Sequence, residues 1–123
     1  MRLEFEQKKA ITGDFPQPRY RPRIRITFPV TFTSGSRTGE GEVLDLTSPG
    51  CLIQSPVVVQ TQQSLQLELF LPGHECPISV MLGMVRWVKG KRFGVEFIKM
   101  HESQQWILQE FLARRSSQLS IRS

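Results

Sequence analysis

The chain is short of cysteine, histidine and tyrosine and has no long apolar run, and each shortage removes a class of function. Its 123 residues hold two cysteines, Cys51 and Cys76, and two histidines, His74 and His101. Two thiols are too few for a disulfide framework, and a free cysteine behaves mainly as a small apolar residue, so both are expected to be structural. His74, Glu75 and Cys76 all carry metal-ligating groups, but adjacent residues of an extended chain point in alternate directions and do not converge on one ion. No metal site is expected. No serine stands in a Gly-x-Ser-x-Gly turn, and no glycine-rich phosphate loop is present. Without a convergent set of titratable groups, the chain is not expected to be an enzyme. Membrane-length apolar stretches are missing too, and the opening MRLEFEQKKAITGDFP mixes acids with bases instead of forming a secretory leader. The expectation is a soluble, cytoplasmic protein without membrane insertion.

What the chain does have is basic charge. Lys and Arg number 16 against 11 Asp and Glu, a formal charge of +5, and a dense group of arginines lies in Arg19-Tyr-Arg21-Pro-Arg23-Ile-Arg25. Such a cluster implies either an anionic partner or a solvated basic tail. A hydrophobic fraction of 39% with 22% charged residues is globular, and the length suits one domain.

Patterning supplies the architecture. Residues 1–18 show neither alternation nor a helical stripe and close on Pro16 and Pro18, which predicts a flexible N-terminal arm. From Ile24 the period is two: Ile24, Ile26, Phe28, Val30 and Phe32 alternate with polar residues, a half-buried strand in which Pro29 marks an edge or a bulge. A turn over residues 34–39 leads to a second strand over 40–47, with Leu44 and Leu46 inward and Asp45 and Thr47 sharing the other face. A third strand runs from Cys51 to Gln54. A fourth carries Leu65, Leu67, Leu69 and Leu71, and a fifth spans about Pro77 to Val88 with Gly83 marking a bulge. Lys89-Gly90-Lys91 closes a hairpin onto a sixth, with Phe93, Val95 and Phe97 inward. The tail changes period: Ile107, Leu108, Phe111 and Leu112 form one stripe of an amphipathic helix from about Glu102 to Ser117, which Trp106 is expected to extend. Six short strands and one helix imply a small antiparallel barrel with the helix packed on it or over one end.

Two spacings stand out in this frame. Arg19 and Arg23 form Arg-x-x-x-Arg ahead of the first strand, and Asp45-Leu-Thr47-Ser-Pro-Gly50 forms Asp-x-Thr-x-x-Gly at the end of the second. In order and separation they resemble the PilZ domain, whose paired signature is Arg-x-x-x-Arg followed by Asp-or-Asn-x-Ser-x-x-Gly. The resemblance continues through Gly83-Met-Val85-Arg-Trp87 and Phe93-Gly94-Val95-Glu-Phe97 into the helix, from about Arg19 to Arg115. One departure is Thr47, where the family usually has serine; the hydroxyl is kept, with an added methyl and a stiffer χ1.

The resemblance implies an all-β fold, a six-stranded antiparallel PilZ-type β-barrel with one C-terminal α-helix. It divides the chain into an arm (1–18), a PilZ domain (19–117) and a C-terminal tail (118–123). It also implies a receptor for the bacterial second messenger cyclic di-GMP, with Arg19, Arg23, Asp45, Thr47 and Gly50 binding the ligand and no further cofactor. The chemistry agrees: a guanidinium can grip phosphate bidentately, pair with guanine O6 and N7, or stack on the base. An ionised Asp45 accepts guanine N1 and N2 hydrogens, Thr47 offers a hydroxyl, and Gly50 a bare backbone. Plainer roles stand beside these. Asp45 can simply pair with an arginine, Gly50 can serve the turn, Trp87 is expected in the core although the resemblance also allows its ring to lie beside a guanine, and Arg25 adds long-range attraction or is merely solvated. Binding is expected to draw the arginine segment across the Asp45 to Gly50 face and to signal to a protein partner that the sequence does not identify. The alternatives are an adaptor of the same fold that does not bind the messenger, and a nucleic-acid-binding barrel. The second is disfavoured because phenylalanines fall on core faces and Tyr20 is the sole tyrosine.

Overall fold

The computed structural model describes the backbone of residues 23–122 and the side chains of 24–115. The alternating segments form β1 (Arg23–Ser34), β2 (Arg37–Thr47), β3 (Gly50–Gln54), β4 (Ser64–Leu69), β5 (Ile78–Lys89) and β6 (Arg92–Lys99), followed by α1 (Glu102–Arg122). All pairings are antiparallel, in the order β1-β2-β3-β6-β5-β4, and β4 returns to pair with β1. This is the closed barrel with a C-terminal helix that the patterning predicts. Closure leaves no long unpaired edge.

Alternation fills the interior. Ile24, Phe28, Val30 and Phe32 of β1, Leu65, Leu67 and Leu69 of β4, and Phe93 and Val95 of β6 are all buried, and Leu71 joins them just beyond β4. Each such side chain contributes roughly 1.5–3 kcal/mol on leaving water. The β1–β2 and β5–β6 reversals use Gly35 and Gly90, whose φ values of 62° and 60° lie in the left-handed region open to glycine. The first turn is tighter than predicted, because β2 already begins at Arg37.

Bulges decide where simple alternation fails. Val43 pairs with Ile53 and Asp45 with Leu52, so Leu44 is an extra residue on β2. Val43 therefore enters the core beside Leu46, and Leu44, expected inward, is only half-buried. At Gly83 the pairing shifts against both neighbouring strands, as its glycine suggested. A third irregularity makes Arg86 the extra residue, since Val85 pairs with Val95 and Trp87 with Gly94. Val85 points inward, and plain alternation would send Trp87 after it; the inserted residue turns Trp87 out, leaving it 46% exposed instead of in the core. Pro29 lies in a strand with neighbours on both sides, and the nearby bulge falls just before it, between Arg25 and Phe28.

The helix buries Leu108, Phe111 and Leu112 and packs on β1 and β5, with Gln104 Oε1 accepting the Ser79 N–H at 2.8 Å. It continues past Ser117 to Arg122. Trp106 does not extend the apolar stripe: it lies about 200° around the helix from Leu108 and is 65% exposed. Among the described residues no helix is long and apolar enough to cross a membrane.

The β2–β3 reversal is tied by one side chain. Thr47 Oγ1 donates to the Gly50 carbonyl at 3.0 Å and accepts the Gly50 N–H at 3.1 Å. The Phe97 N–H then donates to the Pro49 carbonyl at 2.7 Å, fastening the turn to β6. Two outcomes follow from this packing. Thr47→Val keeps the shape but loses both hydrogen bonds, and should cost about 1–3 kcal/mol in denaturant unfolding, whereas Thr47→Ser should cost less. Burial pushes the pKa of the Cys51 thiol upward, while Cys76 is exposed. A thiol reagent at neutral pH should therefore label Cys76 in the native protein and Cys51 only on unfolding; equal labelling of both would contradict the core described here.

Candidate functional site

The outer face of the barrel is built in rows that cross the strands. Arg25 on β1 lies opposite Asp45 on β2, Asp45 opposite Leu52 on β3, Leu52 opposite Gly94 on β6, and Gly94 opposite Trp87 on β5. At the spacing of neighbouring strands, Asp45 and Trp87 stand roughly 14 Å apart across this row. Between them lies a cleft of about 410 Å³, with Asp45, Thr47 and Gly50 on one wall and Arg86, Trp87 and Glu96 on the other. Gly94 forms part of the lining because the Trp87 indole occupies the space a Cβ would need there, so the ring lies directly on backbone.

The expected ligand residues are placed unequally. Asp45, Thr47 and Gly50 are brought together on the cleft. Arg23 opens β1 opposite Thr47, so the backbone of Arg23 lies beside that wall. The Arg23 side chain and the whole of Arg19 lie outside the described residues. Thr47 and Gly50 have structural tasks as well. The Thr47 hydroxyl is engaged by Gly50, and a Cβ on Gly50 would run into the carbonyl oxygen of Val95. The bareness of Gly50 is thus required by β6, whatever else approaches it.

Arg25 comes closer than long-range attraction required. Its Nε is 3.9 Å from Asp45 Oδ1, with the arginine side chain 86% exposed and the aspartate 16%. A pair this open to water contributes little stability. Arg86 is held more tightly: Nε donates to Glu96 Oε1 at 2.6 Å, and NH1 donates to Gln62 Oε1 at 3.2 Å.

Arg86 and Glu96 carried no role from the sequence, and of the two readings of Trp87 the core placement fails, since the ring is exposed on the cleft. A signal was present. The Gly90-Lys91 turn fixes Lys89 opposite Arg92, hence Val88 opposite Phe93 and Trp87 opposite Gly94. Because Phe93 and Val95 point inward, Gly94 must face out, and residues directly opposite share a face. Trp87 therefore had to face out too.

A second depression of about 510 Å³ lies between α1 and the turn after β4, lined by Pro72, His74, Trp106 and Arg114 among others. It holds none of the residues expected to bind ligand. Among the described residues no three His, Cys, Asp or Glu side chains gather as a metal site would need.

The comparisons with known proteins agree with the fold. The PilZ domain family matches residues 17–114. No curated protein matches the chain in sequence. Among solved structures, the Bacillus subtilis inhibitor of motility MotI/DgrA superposes with a TM-score of 0.70 at 18% identity, covering 84% of this chain and 53% of that one. YcgR from Escherichia coli, solved in complex with c-di-GMP, gives 0.68 at 15% identity, covering 86% and 49%. The PilZ domain of CeSA from a cellulose-synthesizing bacterium gives 0.60 at 16%, covering 76% and 97%. This chain thus spans about half the length of MotI and YcgR, and at such identities the likeness concerns the fold. The family match, however, extends over most of the sequence: the chain belongs to the PilZ domain family.

Proposed function

We propose that this domain is a cytoplasmic receptor for cyclic di-GMP that reports binding to a protein partner through its arginine segment. The observation that carries the reading is the gathering of Asp45, Thr47 and Gly50 on one wall of a single cleft, beside the point where Arg23 leads into β1. Family membership supports it, as does the fold shared with YcgR, which was solved with c-di-GMP.

The ligand is a dianion with two guanines, and the cleft answers both features. Arg19 and Arg23 supply planar donors for phosphate or base, Asp45 supplies an acceptor, and the exposed ring of Trp87 offers a stacking surface. Closely spaced arginines repel one another, and a dianion seated against them removes that repulsion. The segment then exchanges conformational entropy for fixed contacts only while the messenger is present, which couples occupancy to the shape shown to a partner. The nucleic-acid alternative asks for several exposed stacking rings, whereas Phe28, Phe32, Phe93 and Phe111 are buried.

Calorimetry should give a saturable heat with cyclic di-GMP. Arg19→Ala and Arg23→Ala should each remove roughly 1–3 kcal/mol from the about 8 kcal/mol of a micromolar complex, with circular dichroism unchanged. Arg25→Ala should cost less. Unaltered affinity in both of the first two variants would remove the proposed pocket. Raising salt should weaken cyclic di-GMP binding only mildly, because few phosphates are neutralised; tight oligonucleotide binding that survives physiological salt and displaces the dinucleotide would favour the other partner class. In hydrogen exchange, the ligand should slow residues 17–25 and 45–51 and leave β4 (Ser64–Leu69), which lines no part of the cleft, little changed. Protection confined to α1 would send the signal by another route.

A further inference from the structure

Arg86 reaches the cleft because it is the inserted residue between Val85 and Trp87. Neighbours in a regular strand point to opposite faces, but a bulge re-aims side chains, and here both Arg86 and Trp87 line the cleft. Two elements then fix the guanidinium, Glu96 on β6 through Nε and Gln62 in the β4 approach through NH1. Gln62 holds its place in a strained conformation: among the described residues it alone, glycines aside, has a positive φ, of 72°. Its N–H donates to Val85 O at 2.7 Å, and the Val85 N–H donates to Gln63 O at 3.0 Å, which locks this loop to the residue just before Arg86. An ion pair between side chains 45% and 46% exposed gives the fold little. Backbone strain and a bulge converging on one half-exposed guanidinium are the kind of feature that binding sites retain.

We infer that Arg86 is a guanine-reading arginine of the cleft and that Gln62 and Glu96 are its positioning residues; this rests on the cyclic di-GMP reading above. A purine stacked on the Trp87 ring brings its edge beside the adjoining residue. With Nε and one NH1 hydrogen engaged, the remaining N–H groups of Arg86 are the donors left for guanine O6 and N7. Adenine carries an amino group where guanine carries O6, so the same donors meet a donor.

The test compares cyclic di-GMP with cyclic di-AMP by calorimetry on the full chain. Arg86→Ala should lower cyclic di-GMP affinity roughly 5- to 150-fold and shrink the preference over cyclic di-AMP by a similar factor. Gln62→Gly separates positioning from mere structure. Glycine relieves the left-handed strain, so the melting temperature should hold or rise, yet affinity should fall about two- to tenfold as the guanidinium loses an anchor. Unchanged cyclic di-GMP affinity in Arg86→Ala, an equal loss for both dinucleotides, or full affinity in Gln62→Gly would overturn this inference and leave the receptor reading standing. Failure of the unaltered chain to bind cyclic di-GMP at all would overturn both.

Discussion

A closed barrel needs every strand to have two hydrogen-bonded neighbours, and here that demand falls hardest on β3, whose five residues alone join β2 to β6. At its first residue the two backbones come so near that the Val95 carbonyl fills the place of a Cβ on Gly50. The turn before it is tied by the Thr47 hydroxyl and by the Pro49 carbonyl. Were β3 pushed outward, the row from Asp45 through Leu52 and Gly94 to Trp87 would part in the middle, and the two walls of the cleft would no longer face each other. The motif positions are therefore also the clasp of the barrel.

The same tight contact clarifies how a small domain can hold polar groups on its outer face at little energetic cost. The core lies wholly beneath the sheet, around Leu46, Ile53, Val85 and Phe93. Arg86 and Glu96 sit above it, half open to water, where their ion pair neither burdens the fold with desolvation nor stabilises it much, whereas Asp45 is more enclosed beside an exposed Arg25. Outside Thr47 and Gly50, where the two tasks coincide, stability and recognition are carried by opposite faces of the same strands, and substitutions on one should act nearly independently of the other.

Period-two patterning made the strands legible wherever the ladder is regular. Leu65, Leu67 and Leu69 are buried as read, and so are Phe93 and Val95, because the residues inserted beside them lie on β5 and leave their own alternation intact. It misplaced Leu44 and Trp87 for one reason: each follows or occupies an inserted residue, which reverses the faces of what comes next. The helical stripe was legible at Leu108, Phe111 and Leu112, while Trp106 was assigned by its apolarity and not by its angle. Of the site, the Asp45 to Gly50 wall was visible as a local motif. Of the facing wall only Trp87 had been singled out, as the lesser of two readings, since Gln62, Arg86 and Glu96 meet only through the closure of β5 on β6 and a loop contact far away in sequence.

The bulge at Arg86 also bears on how such a barrel can change over generations. Substitutions alter one side chain at a time, but removing the single residue at 86 would restore strict alternation beyond Val85 and leave Trp87 directly after it, still opposite Gly94 and facing outward. Gly94 would keep its cover, but Glu96 and Gln62 would lose the guanidinium they hold. At this point of the chain an insertion put a charged side chain on the outer face without disturbing the core, and a one-codon deletion would take that charge away while the interior stayed packed.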